Sequence, residues 1–171
     1  MSSIDKNCLP QYDGGTAYSG ALVFFDPNTP TWTSGWRQSY GDLFPSLRFF
    51  VGDAFGLLFG LDSSDKVCIF CGETAEVEPL GIDERRFYGI ISEDPDGTVH
   101  KSFFDEATHA IGTLKADQIF AFKVEMALGG KLAIDNLYIT DRIEHMRALG
   151  KIACQIHRDP TGTSYEVSRA G

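Results

Sequence analysis

Residues 50–70, FVGDAFGLLFGLDSSDKVCIF, set three glycines in a knot of phenylalanine and leucine and follow them with a charged turn. Either these glycines cradle a phosphate or they let two strands pack. A Walker-type loop requires lysine and then serine or threonine directly after its glycines, because the ammonium and the hydroxyl complete the phosphate and magnesium contacts. Leu57 and Leu58 stand there instead. A dinucleotide fingerprint requires closely spaced glycines that open a helix. Gly52, Gly56 and Gly60 are separated by bulky side chains and lead into strand formers. The glycines therefore serve packing: Gly56 for a tight turn or a bulge, Gly60 for close approach. DSSDK becomes a surface turn joining residues 57–61 to residues 67–71, two adjacent antiparallel strands of ordinary length.

The flanking sequence supplies more strands and several helices. GALVFFD (20–26), RFFVG, AEVEPLG and residues 118–124 have strand composition, LAIDNLYI is a strand or an irregular segment, and residues 164–167 suit a last edge strand. In TWTSGWRQSYGDLFP, Ser34 caps a short helical stretch that sets Trp36 and Tyr40 on one side before Pro45 stops it. IDERRFYGIIS predicts a helix capped by Asp83, with Phe87, Ile90 and Ile91 as its apolar stripe, and EDPDG predicts a turn. SFFDEATHAIG predicts a second helix from a Ser102 cap, with Phe104, Ala107 and Ile111 inward and Gly112 at its end. The clearest helix is DRIEHMRALGKIACQIH, where Asp141 and Glu144 form a cap pair. Its stripe is Ile143, Met146, Leu149 or Gly150, Ala153 and Ile156.

Strands and helices mixed without a βαβ rhythm define an α+β chain. The expected layout is an N-terminal extension over 1–17 and a single domain over 18–171, a mostly antiparallel or mixed sheet packed against several helices. Its 171 residues suffice for one sizeable core. Each of its 13 phenylalanines contributes roughly 1.5–3 kcal/mol when buried.

Charge is placed unevenly. The formal net charge is −9, and the segment 53–96 carries 11 acidic residues against Lys66, Arg85 and Arg86. Such a field repels nucleic acid and anionic membranes and attracts basic partners. No apolar run approaches the ~20 residues of a membrane-spanning helix. The first residues show neither a basic region nor an apolar run of a secretory signal, and four scattered cysteines suit a reducing compartment. A cytoplasmic location is the expectation.

The candidate chemical groups do not assemble into a reaction centre. Cys68 and Cys71 have C-x-x-C spacing, but there is no second pair for zinc, and in a strand they point to opposite faces. They read as two small buried hydrophobes. No serine sits in a G-x-S-x-G context, and His100, His109, His145 and His157 follow no ligand spacing. Glu73, Glu76 and Glu78, and likewise Glu93, Asp94 and Asp96, lie in turns or alternating strand where water reaches them. Acid–base work requires a desolvated member, so these six read as an acidic rim. No cofactor and no metal are expected. The aromatic density of residues 32–49 is explained mainly by core packing. Trp36 and Tyr40 are the two expected at an interface, where tryptophan and tyrosine are enriched.

In order and spacing, GALVFFDPNTPTWTSGW, FFVGDAFGLLFGLDSSDKVCIFCGETAEVEPLG, FYGII and GTLKADQIFAFKVEMALGGKLAIDNLYITDRIEHMRALGKI resemble the C-terminal domain of immunity proteins against type VI secretion DNase effectors. That domain is similar in broad layout to the SUKH superfamily. The signatures are GDAFG on residues 52–56, ALGG on 127–130 and EHM on 144–146, and the resemblance spans about residues 18–156. It implies a non-enzymatic α+β domain that binds a cognate toxin and blocks it. Combined with the charge, it places the contact on Trp36, Tyr40, Glu73, Glu76, Glu78, Glu93, Asp94 and Asp96, facing a basic effector. Two other functions stay open on the residues alone: a regulatory or scaffold module for another protein, and an enzyme whose polar groups meet only in the fold.

Overall fold

The computed structural model describes residues 9–10, 12–13, 15–26 and 31–159. The strand expected at 164–167 lies outside them. Six strands form one antiparallel meander in the order β1-β2-β3-β4-β5-β6: β1 (Thr16–Ala17), β2 (Leu22–Phe24), β3 (Arg48–Asp53), β4 (Leu58–Leu61), β5 (Val67–Cys71) and β6 (Glu76–Pro79). Two more, β7 (Gln118–Phe122) and β8 (Leu137–Asp141), make a separate antiparallel ribbon. The ribbon is joined to the larger sheet where Phe120 N donates to Ala54 O at 2.9 Å.

The glycine-rich segment folds as two strands and a turn. Leu58 pairs with Phe70 and Leu61 with Val67, so β4 and β5 are adjacent and antiparallel. Asp62 Oδ1 closes the DSSDK turn by accepting from Ser64 N at 2.8 Å and Lys66 N at 2.9 Å. A Cβ on Gly60 would lie 2.8 Å from Leu47 Cβ, which is the close approach its position predicts. Gly56 has φ +97°, a turn conformation that suits glycine.

The larger sheet is apolar on both faces, and a layer covers each. Phe50, Phe59 and Val67 face α2 (Glu84–Glu93) and α4 (Lys101–Ile111), whose Phe87, Tyr88, Ile91, Phe104 and Ala107 complete one core cluster. Phe49, Leu58 and Phe70 face the other way and pack with Met146, Leu149 and Ala153 of α5 (Arg142–Arg158) and with Trp36 and Tyr40. Phe49 and Phe50 belong to opposite cores because successive strand side chains alternate.

Asp83 caps α2 through Arg86 N at 2.8 Å, and Asp141 caps α5 through Glu144 N at 2.9 Å, as their spacing predicts. Three local expectations fail. Ser34 ends the single turn α1 (Thr31–Ser34) instead of capping a helix, and two 3-10 turns, Arg37–Ser39 and Gly41–Leu43, carry the chain onward. EDPDG is not a simple turn, because Asp94 caps the short helix α3 (Pro95–Val99) through Gly97 N at 2.9 Å, with Pro95 at the first helical position where its missing N–H costs nothing. Ser102 is not the cap of α4. His100, at φ +52°, occupies that corner, and Asp96 Oδ1 takes the Ser102 N–H at 2.6 Å.

Candidate partner-binding cleft

A cleft of about 530 Å³ opens between the β3–β4 turn, the β5–β6 connection and the segment after β7. That volume lies within the ~300–1,000 Å³ range of ligand sites. Asp53, Phe55 and Gly56 of GDAFG, Ala127 of ALGG and His145 of EHM all line it. Three signatures scattered over 95 residues of chain thus meet at one place.

The floor is a closed turn. Asp53 Oδ1 accepts from Phe55 N at 2.9 Å and Leu57 N at 2.8 Å. These are the amide donors a phosphate would have needed, and the protein's own carboxylate occupies them. The glycine motif is therefore structural at the level of individual hydrogen bonds. The other oxygen, Asp53 Oδ2, has no hydrogen-bond partner among the described residues. Asp53 is 1% exposed and lines the cleft. Burial pushes its carboxyl above the ordinary carboxylate range; the two turn hydrogen bonds and the more distant charges of Arg142 and His100 oppose that shift without overcoming it.

Arg142 enters from the start of α5, buried, and its Nη1 donates to the backbone carbonyl of Asp53 at 3.1 Å. Its Nε and Nη2 have no partner, and its guanidinium lies over the Phe25 ring with 5.6 Å to the centroid. Desolvation lowers its pKa to about 10, the charges of Asp53 and Asp141 acting against the shift. No ion pair joins Arg142 to Asp53. The ion pairs among the described residues, Arg48–Asp65, Arg86–Glu93, Lys101–Asp105 and Arg147–Glu144, all lie elsewhere.

The ALGG loop forms the opposite wall. Gly129 has φ +87°, and a Cβ on Gly130 would fall 1.9 Å from Val124 O, so only glycine fits there. Asn136 Nδ2 ties the loop together by donating to Val124 O at 3.0 Å and Lys131 O at 2.9 Å. Glu73 Oε2 accepts from Ala127 N at 2.6 Å and bridges the two sides. Met126 and Leu132, 43% and 47% exposed, stand at the mouth.

The expected contact residues fall into three groups. Glu73 and Glu76 line the cleft, and Glu78 is exposed on the same edge strand. Glu93 is ion-paired with Arg86 on the surface, while Asp94 and Asp96 spend their carboxylates on helix starts. Trp36 and Tyr40, expected at an interface, are both 0% exposed, which corrects that placement. Their rings pack edge to face with centroids 5.4 Å apart, and Tyr40 Oη donates to Gly72 O at 2.9 Å. The polar tip of Tyr40 is thereby satisfied inside the protein.

Cys68 is buried and Cys71 half-buried at the cleft, both as free thiols. Burial raises the Cys68 thiol, the opposite of an activated cysteine. Phe122, Met126 and Leu132 are cleft residues that sequence reasoning did not single out, while Asp53 and His145 stand in its signature motifs and His100 among its histidines without a role at a cleft. One signal was available: an aspartate embedded in FFVGDAFG sits in an apolar run, and a carboxylate there is buried with specific partners.

The fold is an α+β domain, and the cleft is its candidate site. Among the described residues no group of three His, Cys, Asp or Glu side chains could hold a metal ion, and no helix is long and apolar enough to cross a membrane. Residues 91–153 match the family described as T6SS immunity protein Tdi1, C-terminal, and this segment supplies His100, Phe122, Met126, Ala127, Leu132, His145 and Leu149 to the cleft. Over that segment, well under half of the 171 residues, the chain is similar to the C-terminal domain of a T6SS immunity protein. Among solved structures it is similar to the crystal structure of Atu4351 from Agrobacterium tumefaciens, with a TM-score of 0.54 and 19% identity over 80% of this chain and 69% of that one. At that identity the likeness shows the fold. No curated protein matches the chain.

Proposed function

We propose that the protein binds a basic surface of its cognate effector and blocks it by obstruction, without chemistry of its own. The observation that carries this reading is the position of the acidic edge: Glu73 and Glu76 line the cleft that the immunity-type segment helps to build, with Glu78 exposed on the same strand. Glu93, Asp94 and Asp96 extend the negative field beyond it. Opposite charges steer encounter and raise association rates most at low salt. A stable complex of standard size buries ~1,200–2,000 Å² in all, which requires more than the cleft alone.

The test is co-expression with the effector encoded beside its gene. Wild type restores growth against that effector and not against an unrelated one. Reversing Glu76 and Glu78 together to lysine slows association at low ionic strength, with little change at high salt. Unchanged association rates at low salt would remove the acidic edge from the interface. Equal protection against unrelated effectors would favour a general scaffold module instead.

A further inference from the structure

We propose that the cleft receives one basic side chain of the effector, its charged head seated on Asp53 Oδ2 and its apolar stem and neighbour lying on Phe55, Phe122 and Met126. This deepens the proposed function and rests on it.

Three independent features converge. The first is a carboxylate that is 1% exposed, lines the cleft and has one oxygen without a partner. A buried carboxylate is expected to be fully hydrogen-bonded or ion-paired, and this one is half satisfied, by its own turn. The second is the apolar mouth, where Met126 and Leu132 expose about half their surface at the edge of the same cleft. The third is the sign of the rim, where Glu73 and Glu76 add negative charge and, among the described residues, no lysine or arginine lines the opening.

An occupant that satisfies all three has a cation at its tip and a hydrocarbon body. Arginine and lysine side chains have that form, and a guanidinium also offers several donors in a fixed plane. Arg142 does not already fill this role, because it gives its hydrogen bond to the Asp53 backbone carbonyl and makes no ion pair with the carboxylate. An apolar ligand would leave Asp53 Oδ2 buried without a partner, and an anionic one would face three carboxylates. His100 and His145 also line the cleft.

The experiment measures binding of the full chain to the neighbouring-gene effector by surface-immobilised kinetics. Asp53→Asn keeps an oxygen for Phe55 N and Leu57 N while removing the charge. Leu132→Lys alters only an exposed position at the mouth. Asp53→Asn is expected to raise the dissociation rate by about tenfold or more, as loss of a partner from a desolvated charge pair does, and Leu132→Lys to raise it to a similar extent by setting a like charge where the cation enters. Dissociation within about twofold of wild type in both variants would overturn the cleft proposal and leave the immunity reading intact. If Asp53→Asn does not fold, Leu132→Lys alone decides.

If wild type does not bind that effector, the immunity reading fails and the cleft is judged by a small probe. N-acetyl-arginine amide, titrated at neutral pH, is expected to shift the backbone amide signals of Phe55, Gly56 and Leu57, and the uncharged citrulline analogue to leave them unmoved. Equal shifts from both probes, or none from either, would overturn the site.

Discussion

Gly56 lies against the imidazole of His145: a Cβ built on Gly56 would stand 3.5 Å from His145 Cδ2 and 3.6 Å from Nε2. These are ordinary contact distances, so space is not what reserves the position for glycine. The backbone is, at φ +97°. Gly56→Ala is expected to cost about 1–3 kcal/mol through backbone strain alone. Urea denaturation checks this, and a Gly56→Ala protein as stable as wild type would show that the turn relaxes.

Trp36 and Tyr40 are core residues, so their variants should act on stability first. Trp36→Ala removes a fully buried indole packed against Phe44, Phe49 and Phe70 and is expected to cost about 3–5 kcal/mol. Tyr40→Phe strands the Gly72 carbonyl at a loss of about 1–2 kcal/mol. Thermal melts measure both. Normal melting with lost effector binding would return these rings to the interface.

Helix α5 meets the 37–40 segment at Gly150, where a Cβ would fall 2.8 Å from Ser39 C and 2.8 Å from Tyr40 Cδ2. Alanine is the better helix former by about 1 kcal/mol, yet the clash involves backbone and a locked ring, which cannot swing aside. Gly150→Ala is therefore expected to be net destabilising by roughly 1–2 kcal/mol, since overpacking costs about 1–3 kcal/mol. A rise in the melting temperature would mean that the helix shifts freely.

Asp53 makes stability depend on pH with a definite sign. Its folded-state pKa is raised, so the folded chain holds the proton more tightly than the unfolded one. Its contribution is most favourable below the unfolded value, and it is lost as pH rises through the folded value. Asp53→Asn mimics the protonated form. The stability of the variant relative to wild type should therefore increase from pH 4 to pH 8, with Arg142, His100 and His145 unchanged in both proteins. Chemical denaturation at the two pH values checks this. A relative stability that falls with pH would show that Arg142 dominates the site.

The sheet strands and the main helices were legible because their signals are local. Asp83 and Asp141 announce helix starts, and the DSSDK turn announces its hairpin. The positions of Trp36 and Tyr40 were not legible, because the α5 surface that buries them lies more than a hundred residues away in the chain. The burial of Asp53 was not legible for the same reason: the sequence places it in the acidic count and in GDAFG, and the fold brings Arg142 to its backbone carbonyl and the β7–β8 ribbon to its neighbour Ala54. The three signatures could be listed from the sequence, but their meeting at one cleft could not.

Strand β6 ends the six-stranded sheet with Glu76, Val77, Glu78 and Pro79 all exposed. A proline and two carboxylates on an open border discourage pairing with an identical border, since two copies aligned there would set like charges side by side. A neighbour bearing lysines or arginines meets the reverse condition. At that border the like-charge penalty falls on an identical strand and is absent for a strand of opposite sign.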